Sequence, residues 1–194
     1  MFKWMMENNL NWSAIFHNHI DVILKEKVKE IPEIETLSDK DKVYWKNIYE
    51  NNFPKQLRNT TFLMMFGHFE EMLYLLWKQY NPSNIELDKK GFGITKFKTF
   101  IKTTLKTDIG QHHAYQQISD AQKIRNSLLH IAGRVSLSKD TQALNELIAR
   151  KPEMYSIHLD RVQLSYDGVL NFQKAVRSIT EELLNKALVD PLIE

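Results

Sequence analysis

Hydrophobic residues recur along most of this chain at the three-to-four-residue spacing of an amphipathic helix, and that pattern predicts an all-α fold. Over residues 12–30, Ile15, His19 and Ile20, Ile23 and Leu24, and Val28 fall at helical spacing, and Pro32 stops the run. Ser38-Asp39-Lys40-Asp41 offers an N-cap for a second segment reaching Tyr49, which Pro54 interrupts. Residues 56–80 are the most apolar stretch, with Leu57, Phe62, Met65, Phe66, Phe69, Met72, Leu73, Leu76 and Trp77, and are expected to form the central core helix. Asn81-Pro82 ends it, because proline cannot continue a helix. Gly91-Phe92-Gly93 reads as a turn, followed by a short helix over 95–105 with Phe97, Phe100, Ile101 and Leu105 on one side. A further helix is expected over 111–135 and a short amphipathic one over 140–150. The stretch 155–166 alternates like two short strands around Asp160-Arg161, which predicts a small β-hairpin. Asp167 then caps a last helix running to about residue 188.

Six glycines and five prolines punctuate the chain rather than fill it, which favours long helices. With 43% hydrophobic and 26% charged residues, large-scale disorder is not expected. There is no internal repeat or low-complexity tract, and the division expected is an N-terminal helical extension over 1–50 followed by a helical bundle over 51–194. A net charge of +2 argues neither for nor against nucleic acid, so any RNA site has to be a local basic patch. The absence of cysteine excludes disulfides, thiolate metal centres and thiol catalysis. The apolar start is too short for a signal-peptide core, and no stretch approaches the roughly 20 apolar residues of a membrane span. A cytoplasmic protein with no membrane partner is therefore expected.

The segment that carries chemistry is Arg125-Asn126-Ser127-Leu128-Leu129-His130. With Ile124 at the origin of a helical wheel, Leu128, Ile131 and Val135 fall within about 40° of it and form a core stripe. Arg125 lies at about 100°, Leu129 at about 140°, Asn126 at about 200° and His130 at about 240°, on the outward side. A leucine among these polar groups suggests that the face is covered, and a two-fold copy of the same helix is the simplest cover, with Leu129 in the dimer interface. Asn126 and His130 are one turn apart, whereas Arg125 and His130 point to different sides. Two copies would pool two arginines and two histidines in one cleft.

That set suits metal-independent cleavage of RNA. A neutral imidazole, with an ordinary pKa of about 6.5, can take the proton of a ribose 2′-hydroxyl, and its protonated form can return one to the departing 5′-oxygen. An arginine fork matches phosphate oxygens and stabilises the added charge of the transition state. The products would be a 2′,3′-cyclic phosphate and a 5′-hydroxyl.

Arg125-Asn126 followed by His130 resembles the R-x4-H motif of the HEPN-domain family, and the Phe69-Glu70 pair on the preceding long helix is similar to one that family often carries. The resemblance covers about residues 55–188. It implies a HEPN-like helical bundle that dimerises through the motif helix. It also implies catalytic roles for Arg125 and His130 and a supporting role for Asn126. Many such proteins are ribonucleases of toxin–antitoxin and phage-defence systems, so an antitoxin or other defence protein is an expected partner. Two residues past the histidine, where toxins paired with a small nucleotidyltransferase commonly carry a modifiable tyrosine, this chain has Ala132, which speaks against silencing by that route. The family also contains members without nuclease activity, so the alternative is a catalytically silent module that binds a partner protein or nucleotide.

Each of these residues also has a plainer reading. Arg125, Asn126 and His130 fit an ordinary solvated helix face. Glu70 or Glu71 is a candidate to hold the Arg125 fork, or is simply structural. Lys102, Lys106 and Lys123, with Lys96 and Lys98, offer a basic approach for RNA or just a solvated surface. His112-His113 and His17-Asn18-His19 lack a carboxylate at ligand spacing, so neither a metal nor any other cofactor is expected.

Overall fold

The computed structural model describes residues 2–189. Among the described residues seven α-helices and one hairpin, joined in part by short 3-10 and π turns, make up the fold: α1 (Phe2–Glu30), α2 (Asp39–Asn47), α3 (Phe53–Gln79), α4 (Lys98–Thr103), α5 (Tyr115–Ile131), α6 (Thr141–Arg150), β1 (Tyr155–His158), β2 (Arg161–Leu164) and α7 (Tyr166–Val189). The fold is all-α with a small β-hairpin, as the periodicity predicts.

Helix α3 is the axis. It packs against α1, α5, α7 and β2, and Phe62, Met65, Phe66, Phe69, Met72, Leu73 and Leu76 are all buried along it. A helix that is apolar nearly all round has to be surrounded, and these four neighbours do so here. Its aromatic side chains stack on α7. The Phe66 and Phe172 rings are almost parallel at 5.3 Å between centroids, and Phe62 lies 4.7 Å from the same Phe172 ring. Pro54 is the second residue of α3 and does not interrupt the helical backbone, which runs on from the preceding segment with the Phe53 N–H donating to the Ile48 carbonyl five residues back. A π-helical turn, Ile48–Asn52, joins α2 to α3.

Helix α1 starts ten residues earlier than expected and buries a different face. Leu10, Ser13, His17 and Leu24 are inward, whereas Ile15, His19 and Ile23 are exposed. Trp4, Trp12, Phe16 and Val22 join the exposed set. Both faces of this helix are apolar, so spacing alone could not choose between them. Leu10 reaches the main core, and α1 lies along both α3 and α7.

Helix α5 is shorter than expected. Ala132 and Gly133 both take left-handed backbone conformations, with φ of 50° and 76°, and both N–H groups donate to the Ser127 carbonyl. Val135 is buried, but from a 3-10 turn beyond the helix. The last helix is capped by Ser165, whose Oγ accepts from the Gly168 N–H at 2.9 Å, and not by Asp167. The hairpin pairs Tyr155 with Leu164 and Ile157 with Val162 in antiparallel register. Its two-residue turn, Leu159-Asp160, has positive φ at both positions, as a type I′ turn requires.

One charge lies in the core. Asp120 on α5 is fully buried and accepts from Arg150 Nη2 at 3.0 Å on both oxygens, from Lys151 Nζ at 3.1 Å and from Gln116 Nε2 at 2.9 Å. This cluster ties α5 to the end of α6. Burial, followed by the nearby Asp120 and Glu153 carboxylates, pushes the Tyr155 hydroxyl well above its ordinary pKa. Replacing Arg150 and Lys151 together with Met leaves an uncompensated buried carboxylate and is expected to cost about 3 kcal/mol in urea unfolding. Asp120→Asn, which can still accept from Gln116, is expected to cost less.

Candidate functional site

Arg125 emerges from α5 toward α3, where Glu70 meets it. Arg125 Nη2 donates to Glu70 Oε2 at 3.2 Å, and Nη1 donates to Asn126 Oδ1, also at 3.2 Å. Asn126 Oδ1 accepts a further bond from Gln122 Nε2 at 3.0 Å. The guanidinium carbon sits 5.7 Å above the centroid of Phe66, in cation–π range. With side-chain exposures of 25% and 31%, the ion pair contributes on the order of 1 kcal/mol or less. Its main effect is to fix where the fork points.

The turn after α3 supports this arrangement from the other side. Gly93 has φ of +52°, and a Cβ there would meet Gln122 Oε1 at 1.8 Å. Only glycine lets the turn come this close to α5 without displacing the amide that holds Asn126. Between the turn and α3 lies an open cleft of about 740 Å³, with Glu70, Tyr74, Phe92, Lys96 and Arg125 in its walls. Tyr74 and Phe92 are exposed in it.

The remaining predicted residues are placed as follows. His130 is exposed in the last turn of α5, with no hydrogen-bond or ion-pair partner among the described residues. Leu129 beside it is 49% exposed. One copy of the chain does not bring Arg125 and His130 together, because they lie about 140° apart around the helix axis. Glu71 does not reach Arg125. It is exposed, and His68 Nδ1 lies 3.7 Å from its carboxylate. Lys102, Lys106 and Lys123 are all exposed, and none lines the cleft, whereas Lys96 does.

The histidine clusters hold protein contacts. His112 Nδ1 accepts from the Ala114 N–H at 3.0 Å, and Nε2 lies 3.3 Å from Glu182 on α7. His113 stacks on His112 at 4.3 Å and meets Ser178 at 3.2 Å. Among the described residues no group of three or more acidic or histidine side chains is arranged to hold a metal ion, and no helix is long and apolar enough to cross a membrane.

Three features had little signal in the sequence. Asp120 falls on the core stripe of the α5 wheel, but its charged partners, Arg150 and Lys151, lie 30 residues away or more. Phe92 read only as part of a turn, and its place opposite Arg125 depends on the fold of the 80–93 loop. The cationic groove near Lys55, described below, joins residues from three separate elements. The chain matches no family model, no curated protein and no solved structure.

Burial holds the pKa of His17 and of His112 below the ordinary imidazole value of 6.5, in spite of nearby carboxylates that raise it. Both therefore bind a proton more readily in the unfolded chain, and the stability they support is present above pH 6.5 and lost as pH falls below it. The urea midpoint is expected to drop between pH 7 and pH 5, and His112→Gln should flatten that dependence. An unchanged midpoint in the parent protein would refute this. Separately, Gly93→Ala is expected to cost about 1–3 kcal/mol, from positive φ and displacement of Gln122, as read by thermal unfolding.

Proposed function

We propose that this protein is a metal-independent endoribonuclease, active as a homodimer and serving as a toxin or phage-defence effector. The observation that carries the reading is the C-terminal part of α5. A guanidinium oriented by Glu70 and Asn126 shares it with an exposed Leu129 and an unpartnered His130. Two such helices packed through Leu129 around a two-fold axis pool four catalytic side chains in one groove.

In that groove a neutral His130 removes the 2′-hydroxyl proton. The 2′-oxygen attacks phosphorus, and the bond to the 5′-oxygen breaks. The His130 of the second copy, in its protonated form, supplies the proton that the leaving oxygen needs. Arg125 stabilises the charge on the equatorial oxygens. The strand ends as a 2′,3′-cyclic phosphate and a 5′-hydroxyl, with no metal in any step. Resemblance to HEPN ribonucleases in the Arg125–His130 motif and the Phe69-Glu70 pair supports the reading.

A second reading has its own observation. Glu70 already neutralises Arg125, which suits a silent module that binds a partner protein or nucleotide. Incubation with total RNA in EDTA separates the two. Cleavage with cyclic-phosphate ends is expected across pH 6–8, and His130→Ala or Arg125→Ala should lower the rate at least 100-fold. Leu129→Glu should yield monomers by light scattering and abolish cleavage. Intact RNA, or a His130→Ala variant as fast as the parent, would sink the nuclease reading.

A further inference from the structure

A second concavity, of about 460 Å³, lies between the start of α3, the end of α5 and β2. Lys55, Asn59 and Thr60 line it from α3 and Arg161 lines it from the hairpin, above an apolar floor that includes Leu63 and Leu128. No carboxylate is among the residues lining it. Arg58 adds a third cation nearby, its Nε donating to the Leu164 carbonyl at 2.6 Å. Two carboxylates outside the lining act on these cations, Asp160 on Arg161 and Asp21 on Arg58, and both also have other partners. Asp160 accepts from the Ser136 N–H and hydroxyl, and Asp21 pairs with Lys25.

Lys55 is half-buried and has no hydrogen-bond or ion-pair partner among the described residues. Its ammonium is held below the usual lysine pKa, first by burial and then by Arg161 and Arg58. Grouping like charges in a partly desolvated groove is unfavourable unless an anion joins them. Arg161 also donates to the Ala132 carbonyl and so closes the end of α5, but that uses one of its five N–H groups. Lys55 has no such structural duty.

We propose that this groove binds the phosphate of a nucleotide, with Lys55 and Arg161 on the phosphate. Its size suits one nucleotide unit. The ligand is either a free nucleotide or one unit of an RNA strand, and the strand form rests on the ribonuclease reading. Lys55 and Glu70 are 15 positions apart on the same helix, about 22 Å, so a strand of several nucleotides would run from this groove to Arg125.

The test uses the full chain in EDTA with two probes: a short fluorescein-labelled 2′-O-methyl oligoribonucleotide, which cannot be cleaved, and adenosine 5′-monophosphate alone. Lys55→Gln is expected to weaken binding about tenfold and to lower the salt slope by about one phosphate contact. Lys55→Arg should restore most of it, which a loss of folding would not allow. Binding of both probes, each lost in Lys55→Gln, identifies a nucleotide site. Binding of the oligoribonucleotide alone identifies a strand subsite. Equal affinity and salt slope for the parent and Lys55→Gln overturn the proposal, as does failure of the parent to bind either probe. Because neither probe is cleaved, binding through Lys55 without RNA cleavage refutes the ribonuclease reading and leaves this site standing.

Discussion

The Phe66 ring links the core to the candidate site. One of its neighbours is Phe172 of α7, stacked at 5.3 Å, and another is the Arg125 guanidinium of α5, 5.7 Å from its centroid. Phe66 itself is almost wholly buried. The contact that joins α3 to α7 therefore also sets how α5 lies across them, and with it the position of Arg125. Glu70, one turn further along α3, then has the right placement to accept from that fork. Core packing and side-chain orientation are thus one constraint, because a shift of α3 against α7 would move the ring, the carboxylate and the arginine together.

Helix α5 satisfies opposite demands on its two sides. Inward it carries Ile118, Ala121, Ile124 and the ion-paired Asp120, all at zero exposure. On its remaining sides it carries the half-buried Arg125, turned toward α3, the half-buried Asn126, and the exposed Leu129 and His130. The left-handed pair Ala132-Gly133 stops it one residue after His130, so the imidazole stands in the final turn. The separation of Arg125 from His130 around the helix is a property of α-helical geometry and holds for any rotamer. A reaction that needs both groups on one phosphate therefore needs a second source for one of them, and this is why the proposed nuclease is a dimer.

The other conspicuous surface is the outer face of α1, where Trp4, Trp12, Ile15, Phe16, Val22 and Ile23 are exposed on the side opposite the buried Leu10, Ser13, His17 and Leu24. Exposed aromatic residues in such a row exceed the scattered apolar side chains of an ordinary surface. The inner face of the same helix is bound to α3 and α7, so residues 2–30 belong to the packing of the bundle whatever covers their outer side.

Residue spacing alone determined the helices, their order and the hairpin, because a 3.6-residue repeat and a two-residue repeat are local properties of a chain. It singled out Arg125, Asn126 and His130 as candidates and the α3 carboxylates as groups that could meet the arginine, but not that Arg125 turns toward α3 while His130 stays exposed. It could not choose the buried face of α1, since both faces are apolar and only the neighbours decide which is covered. It could not say that Glu70 and not Glu71 pairs with Arg125, because adjacent residues differ by a rotation whose outcome depends on how α3 and α5 cross. Asp120 with Arg150 and Lys151, Gly93 against Gln122, and Lys55 beside Arg161 were decided by tertiary structure for the same reason. Each joins residues remote in sequence, and such contacts exist only once the helices have packed.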